Sequence, residues 1–303
     1  MIKRSNFHIN EGIVFMLIAS FCFALSGACA RYLREDINPV QLVFFRNIIG
    51  VVFILYSMYK IPIVQIGGKP YLLIFRGVIG TLALYSFFYG ISNIGLAISI
   101  TYQQSYPVFL SLFVAWYFKE KLSLHEWVAV LIGFVGICLI FVPSIDISLL
   151  SAKHHFIGLS NAVMTGMAYL SIRGLSHLYD QRSIVLSFMA SGIVLPFISM
   201  LLGQWIEPGH FDFLISDIDI PTVANIPVIL VMGLSALVGQ LNLTKAFSFE
   251  KTGVIAAVGY SNIVFSVIFG ALLGDAFPDS LSLMGIFLII LCGVIISFRV
   301  QPK

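Results

Sequence analysis

Ten long apolar runs fill this chain, and most of its charges sit between them. The runs read 12–31, 39–59, 70–91, 95–118, 124–143, 156–177, 183–203, 224–249, 252–273 and 281–299. A hydrocarbon core about 30 Å thick is crossed by roughly 20 apolar residues of helix. A helix satisfies its own backbone polar groups in lipid, so each run predicts one membrane-spanning helix. With 59% hydrophobic and 10% charged residues, the chain lies far from a water-soluble domain, where about 25% are charged. The expectation is an all-α integral membrane protein with ten transmembrane helices.

The charges between the runs are sided. With ten spans, one face collects Lys3, Arg4, Lys60, Lys69, Lys119, Lys121, Arg182, Lys251, Arg299 and Lys303, together with both termini. The other face collects Arg31, Arg34 and Lys153 among many acidic residues. Short basic loops resist translocation, so both termini are expected in the cytoplasm. The first run, behind Lys3 and Arg4, is too long for a cleaved signal core and is read as a retained helix. No basic tract with interleaved aromatics is present, so no nucleic-acid partner is expected. Cys22, Cys29, Cys138 and Cys292 all fall inside runs. They read as small core fillers rather than disulfides or zinc ligands.

The chain also divides in two. The fourth run and its exit, "AISITYQQSYPVFLSLFVAWYFKEKLSL", align with the ninth, "TGVIAAVGYSNIVFSVIFGALLGDAFPDSLSL". Setting Glu120 on Asp275 places Ala97 on Thr252, Tyr106 on Ser261 and Pro107 on Asn262. After a two-residue insertion, Leu124 falls on Leu281 and Gly136 on Gly293. Five spans per half is an odd number, so the second half enters the membrane upside down. Inverted repeats around a central site are a recurring plan of secondary transporters.

The order of these motifs resembles the drug/metabolite transporter superfamily in its ten-span EamA-like branch. The resemblance rests on "FFRN" in the second run, "FRGVIG" in the third and "YGISNIGLAISITYQQSYPVF" entering the fourth. It continues through "FKEKLSLHEWVAVLIGFVGICLI" and a second-half counterpart from "KAFSFEKTGVIAAVGYSN" to "LLGDAFPDSLSLMGIFLIILCGVII". The KAFS and FPD elements are similar to those of bacterial S-adenosylmethionine uptake carriers. The resemblance implies EamA-like five-helix repeats over 1–146 and 147–303, and a place in a bacterial inner membrane. Many relatives carry proline or an acidic–aromatic pair in the middle of the ninth span and Glu at its exit. This chain instead has Tyr260, Ser261 and Asn262, then Asp275.

Polar side chains inside a bilayer are costly, so each needs an account. Arg46 and Arg76 lie about 10 Å below their interfaces at about 1.5 Å per residue. Lys245 sits near a helix end. Such cations either snorkel to headgroups or form a basic lining that attracts a carboxylate or phosphate. The fourth run holds the densest polar cluster, from Thr101 through Gln103 and Gln104 to Tyr106 and Pro107. Tyr102 and Tyr106 would share a helix face, and Pro107 permits a bend. The cluster aligns with Tyr260, Ser261 and Asn262, so two polar patches would meet near the midplane. The expected substrate-binding residues are therefore Tyr85, Tyr102, Gln103, Tyr106, Gln240, Tyr260 and Asn262. Arg46, Arg76 and Lys245 form the basic lining. The alternative for each is interhelical glue, worth about 0.6 kcal/mol per contact.

No Asp, Glu or His falls in the middle of a run. That argues against a proton-coupled cation extruder built on a buried carboxylate, and tilts the substrate towards neutral, zwitterionic or anionic species. The expectation is a secondary transporter moving a small polar metabolite (amino acid, nucleoside-like or organic anion) by alternating access. The alternatives are a membrane-embedded lipid-modifying enzyme or a channel. An enzyme would need an acid–base or metal constellation. His154 and His155 read instead as a solvated external turn, and no cofactor is expected. No P-loop is present to bind ATP. A homodimer is compatible with the sequence but not specified by it.

Overall fold

The computed structural model describes residues 11–93, 96–117, 119, 123–141, 151–205, 214–215, 221–249, 252–273 and 279–299. Lys3, Arg4, Glu120, Lys121, Lys251, Asp275 and Lys303 lie outside the described residues. The described residues form twelve α-helices and no strand. They are α1 (Glu11–Leu33), α2 (Pro39–Lys60), α3 (Pro70–Asn93), α4 (Leu96–Gln103), α5 (Tyr106–Tyr117) and α6 (Leu124–Phe141). The second half supplies α7 (Ala152–Leu175), α8 (Gln181–Gly203), α9 (Ile226–Phe249), α10 (Thr252–Val258), α11 (Ser261–Leu272) and α12 (Ser280–Arg299).

Among the described residues, six stretches are both long and apolar enough to cross a membrane: Glu11–Leu33, Pro39–Lys60, Pro70–Gly90, Gln181–Gly203, Val223–Phe249 and Thr252–Leu272. Tyr106–Tyr117, Trp127–Leu139 and Leu283–Cys292 are shorter apolar helices. With 24 residues, α7 has the length, but it carries Lys153, His154, His155 and Arg173. Large apolar side chains such as Val52, Phe53, Phe197, Ile198, Leu230 and Val231 point outward and are exposed. A water-soluble protein would not present so wide an apolar surface, whereas acyl chains cover it without cost.

Two expected spans are broken. The fourth run forms α4 and α5, and the ninth forms α10 and α11. The break in the fourth falls at Gln104–Ser105, ahead of Pro107, which sits in the first turn of α5. Proline lacks a backbone N–H and suits that position. At the first break Gln104 N bonds Ile100 O at 2.8 Å, then Ser105 N bonds Tyr102 O at 3.0 Å, a tighter turn. At the second, Gly259 N bonds Ile255 O at 3.0 Å and Tyr260 N bonds Ala257 O at 3.2 Å. The aligned residues repeat the same switch, and the helices that follow, α5 and α11, are each 12 residues long.

The packing has a matching regularity. The principal pairs are α1–α9, α3–α7, α2–α8, α6–α12, α3–α8, α2–α9, α1–α11 and α5–α7. Exchanging each helix for its counterpart in the other half turns α1–α9 into α7–α3, α2–α9 into α8–α3 and α1–α11 into α7–α5. The pairs α2–α8 and α6–α12 map onto themselves.

The end of α2 is tied to the start of α8. Arg182 donates to the carbonyls of Ser57 (3.2 Å), Ile61 (2.9 Å) and Pro62 (3.4 Å), and to the carboxylate of Asp180, the residue that caps α8. The Arg182 guanidinium holds the Asp180 carboxyl below its ordinary value. A depressed carboxylate stabilises the fold above its unfolded value of about 4 and loses that contribution as pH falls further. Asp180→Asn should therefore lower the thermal midpoint at pH 7. Its difference from the unmodified chain should disappear below about pH 4. A difference constant from pH 7 to pH 3 would remove the ion pair from the account.

Candidate functional site

A cavity of about 130 Å³ lies among α1, α2, α3, α4, α5, α7, α9 and α11. A water needs roughly 10–15 Å³ of such space, so the cavity holds about ten waters or one small metabolite. It begins beside Met16, Tyr106, Tyr169, Gln240 and Gly259, and it runs towards Arg31 and Leu273 at one end of the bundle. Both helix breaks border it, through Gln103, Gln104 and Tyr106 on one side and Gly259 and Asn262 on the other. A helix break beside a cavity frees backbone groups where solvent or ligand meets them.

The floor is aromatic. The Tyr106 and Tyr169 rings meet edge to face at 4.9 Å, and Tyr169 packs on Phe247 at 5.6 Å. The Tyr106 hydroxyl donates to the Ala256 carbonyl at 3.5 Å, joining α5 to α10. A side chain on Gly259 would collide with that hydroxyl and with Met16. Only glycine allows the approach. Phe23, Phe87, Phe88 and Phe269 supply apolar walls.

Of the expected binding residues, Gln103, Tyr106, Gln240, Asn262 and Arg46 line this cavity. Asn262 donates from Nδ2 to the Ser20 carbonyl at 2.8 Å, leaving its Oδ1 as an acceptor. Gln240 Oε1 accepts from Arg76 Nη2 at 3.0 Å. Arg76 is 1% exposed and stacks on Phe188 at 4.4 Å. It stands behind Gln240 rather than in the lining.

The other four lie elsewhere. Tyr85 is buried between α3 and α8, its hydroxyl 3.0 Å from Ser199 Oγ. Tyr260 is 0% exposed and faces away from the cavity, with its ring against Gly133 and its hydroxyl bonded to the Val130 carbonyl. Lys245 Nζ rests over the Phe15 ring at 4.0 Å. Tyr102 is separated from Tyr106 by the helix break, so the two do not share a face. It packs on Gly158, hydrogen-bonds His155 Nδ1, and lines a second pocket of about 10 Å³ with Tyr89, His154 and Asn161. The histidines belong to the first turn of α7, with His154 half-buried and His155 exposed. His154 completes a reciprocal cap with Ser151.

The decisive likeness is over the whole chain. An uncharacterized transporter of Helicobacter pylori (strain ATCC 700392 / 26695) is 31% identical over 296 residues, 96% of either chain. The EamA-like transporter family model matches residues 10–142. The chain belongs to the EamA-like transporter family. The pseudopaline exporter CntI of Pseudomonas aeruginosa (strain UCBPP-PA14) is 30% identical, covering 95% of this chain and 96% of its own. An S-adenosylmethionine uptake transporter of Rickettsia conorii is 22% identical, covering 92% and 90%. One crystal structure shares the fold with a TM-score of 0.79 at 13% identity, covering 96% of this chain and 99% of the other. These EamA relatives bear the names of transporters, which fits a protein that is not an enzyme.

Within this EamA chain, sequence reasoning passed over several lining residues. Gln104 stands in the polar cluster of the fourth run, and Tyr169 stands on the sixth run four residues after Thr165 and eight after Asn161. Ser20, Met16, Phe23 and Ser266 are also in the lining. Single serines and aromatics in apolar runs carry no signal, since packing alone accounts for most of them.

Proposed function

We propose that this chain is a secondary carrier that moves a small polar metabolite by alternating access. The single observation that supports it best is the cavity bordered by two broken helices, α4–α5 and α10–α11, at aligned positions of the two halves. On this reading residues 1–146 and 147–303 are inverted EamA-like repeats. Rocking of one against the other exposes the cavity to each side in turn. The chain sits in a bacterial inner membrane with both termini in the cytoplasm, as its basic loops favour. In that orientation the Arg31 and Leu273 end of the cavity points away from the cytoplasm. Gln103, Tyr106, Gln240 and Asn262 contact the metabolite.

Purified chain in liposomes should show saturable counterflow of a labelled compound from a panel of amino acids, nucleosides and organic anions. Gln103→Ala should reduce that counterflow at least about tenfold, equivalent to about 1.4 kcal/mol, with an unchanged thermal midpoint. Unaltered counterflow in that variant would remove Gln103 from the site. Linear, non-saturating flux would replace the carrier reading with a channel.

A further inference from the structure

The cavity collects positive charge and hydrogen-bond donors without a matching acid. Arg46 lines it at 4% exposure, and its Nε has no hydrogen-bond partner among the described residues. Among the described residues, no Asp or Glu lines the cavity. Taking a charged group out of water costs several kcal/mol per ion, and the cost is recovered only by an opposite charge with good geometry. A charged side chain is seldom fully buried unless it is paired. Among the described residues no carboxylate pairs with Arg46.

The neighbouring polar groups share the bias. Gln104 lines the same cavity, and its Nε2, which can only donate, is also buried without a partner. The Gln240 carboxamide has its oxygen occupied by Arg76, so its NH₂ is what remains to offer. Arg76 brings a second guanidinium directly behind that amide. Ser20, a residue of the same lining, has a buried Oγ with no partner among the described residues. The opposite requirement comes from the walls, where Phe23, Phe87 and Phe269 would shed a fully hydrated ion. The structure thus asks for an anionic head and an apolar body in one small molecule.

We propose that the cavity binds small organic carboxylates, with the carboxylate on Arg46 and further donors from Gln104 and Gln240, and the apolar body against the phenylalanines. This rests on the carrier reading above and narrows its substrate class. A carboxylate suits a planar guanidinium because two parallel N–H groups meet its two oxygens. The about 130 Å³ of space and the mostly apolar walls favour it over a highly charged phosphate ester.

The test uses the full chain in detergent and four probes of similar shape: phenylacetate, phenylacetamide, phenethylamine and phenyl phosphate. Phenylacetate alone should raise the thermal midpoint, by mass action on the folded state. In Arg46→Gln that response should vanish, while the unliganded midpoint stays equal or rises because an unpaired buried charge has gone. Arg46→Lys, which keeps the charge but not the fork, should retain a weaker response. The proposal is overturned if phenylacetamide works as well as phenylacetate, if phenyl phosphate replaces it, if Arg46→Gln still responds, or if no carboxylate shifts the midpoint. Counterflow of a neutral or cationic compound by the unmodified chain would remove the carboxylate assignment and leave the carrier reading standing. Binding of phenylacetate without counterflow of any compound would do the reverse.

Discussion

Ser266→Trp should abolish transport by a chain that still folds. Ser266 lies on α11, half-buried in the cavity wall. An indole there would occupy most of the about 130 Å³ that a metabolite needs, while meeting the Phe269 and Phe23 walls as apolar neighbours. The space exists already, so the usual overpacking cost of about 1–3 kcal/mol is largely avoided. Counterflow should fall by at least about a hundredfold, or about 2.8 kcal/mol, with the thermal midpoint within a few degrees of the parent. Ser266→Ala should be silent in both measurements. Undiminished counterflow in the tryptophan variant would show that the permeating molecule takes another path.

The largest loss of stability is expected at Gly133. This glycine of α6 lies against the ring of Tyr260 and near Cys292 Sγ, so that any β-carbon would collide with the ring and crowd the sulfur. Tyr260 has no room to yield, being 0% exposed and held to the Val130 carbonyl. Close-packed interiors answer such intrusion with backbone shifts. Gly133→Leu should therefore cost more than about 3 kcal/mol, beyond the ordinary overpacking range, and appear as poor yield and a low thermal midpoint. Adding Tyr260→Ala to the same chain should restore part of the loss, since the two side chains compete for one volume. If the double variant is no better than the sum of its parts, the contact between α6 and the α10–α11 break is not the cause.

Much of the architecture could be read from the chain. Length and hydropathy marked the helices because a bilayer imposes a minimum apolar span. The polar cluster from Gln103 to Tyr106 stood out because such groups are expensive in lipid. The alignment that paired Tyr106 with Ser261 also paired the two helix breaks. Pro107 pointed to a bend, but the helix yields two residues earlier, so that proline can serve in a first turn.

Facing was another matter. Tyr102 and Tyr106 look equivalent on one continuous helix, yet the break sends one to His155 and the other to the cavity. Tyr85 and Tyr260 carry the same side chain as Tyr106 and lie in packed seams against Ser199 and Gly133. Arg76 reaches the site only through Gln240, a partner far away in the sequence. Sequence by itself determined that the chain is a set of membrane helices, because the cost of dehydrating a backbone or a charge in lipid is set by residue type. Tertiary structure decided which polar groups meet. Lipid and protein interior are about equally apolar, so an apolar helix carries little record of which side faces which, and only packing against its neighbours chooses.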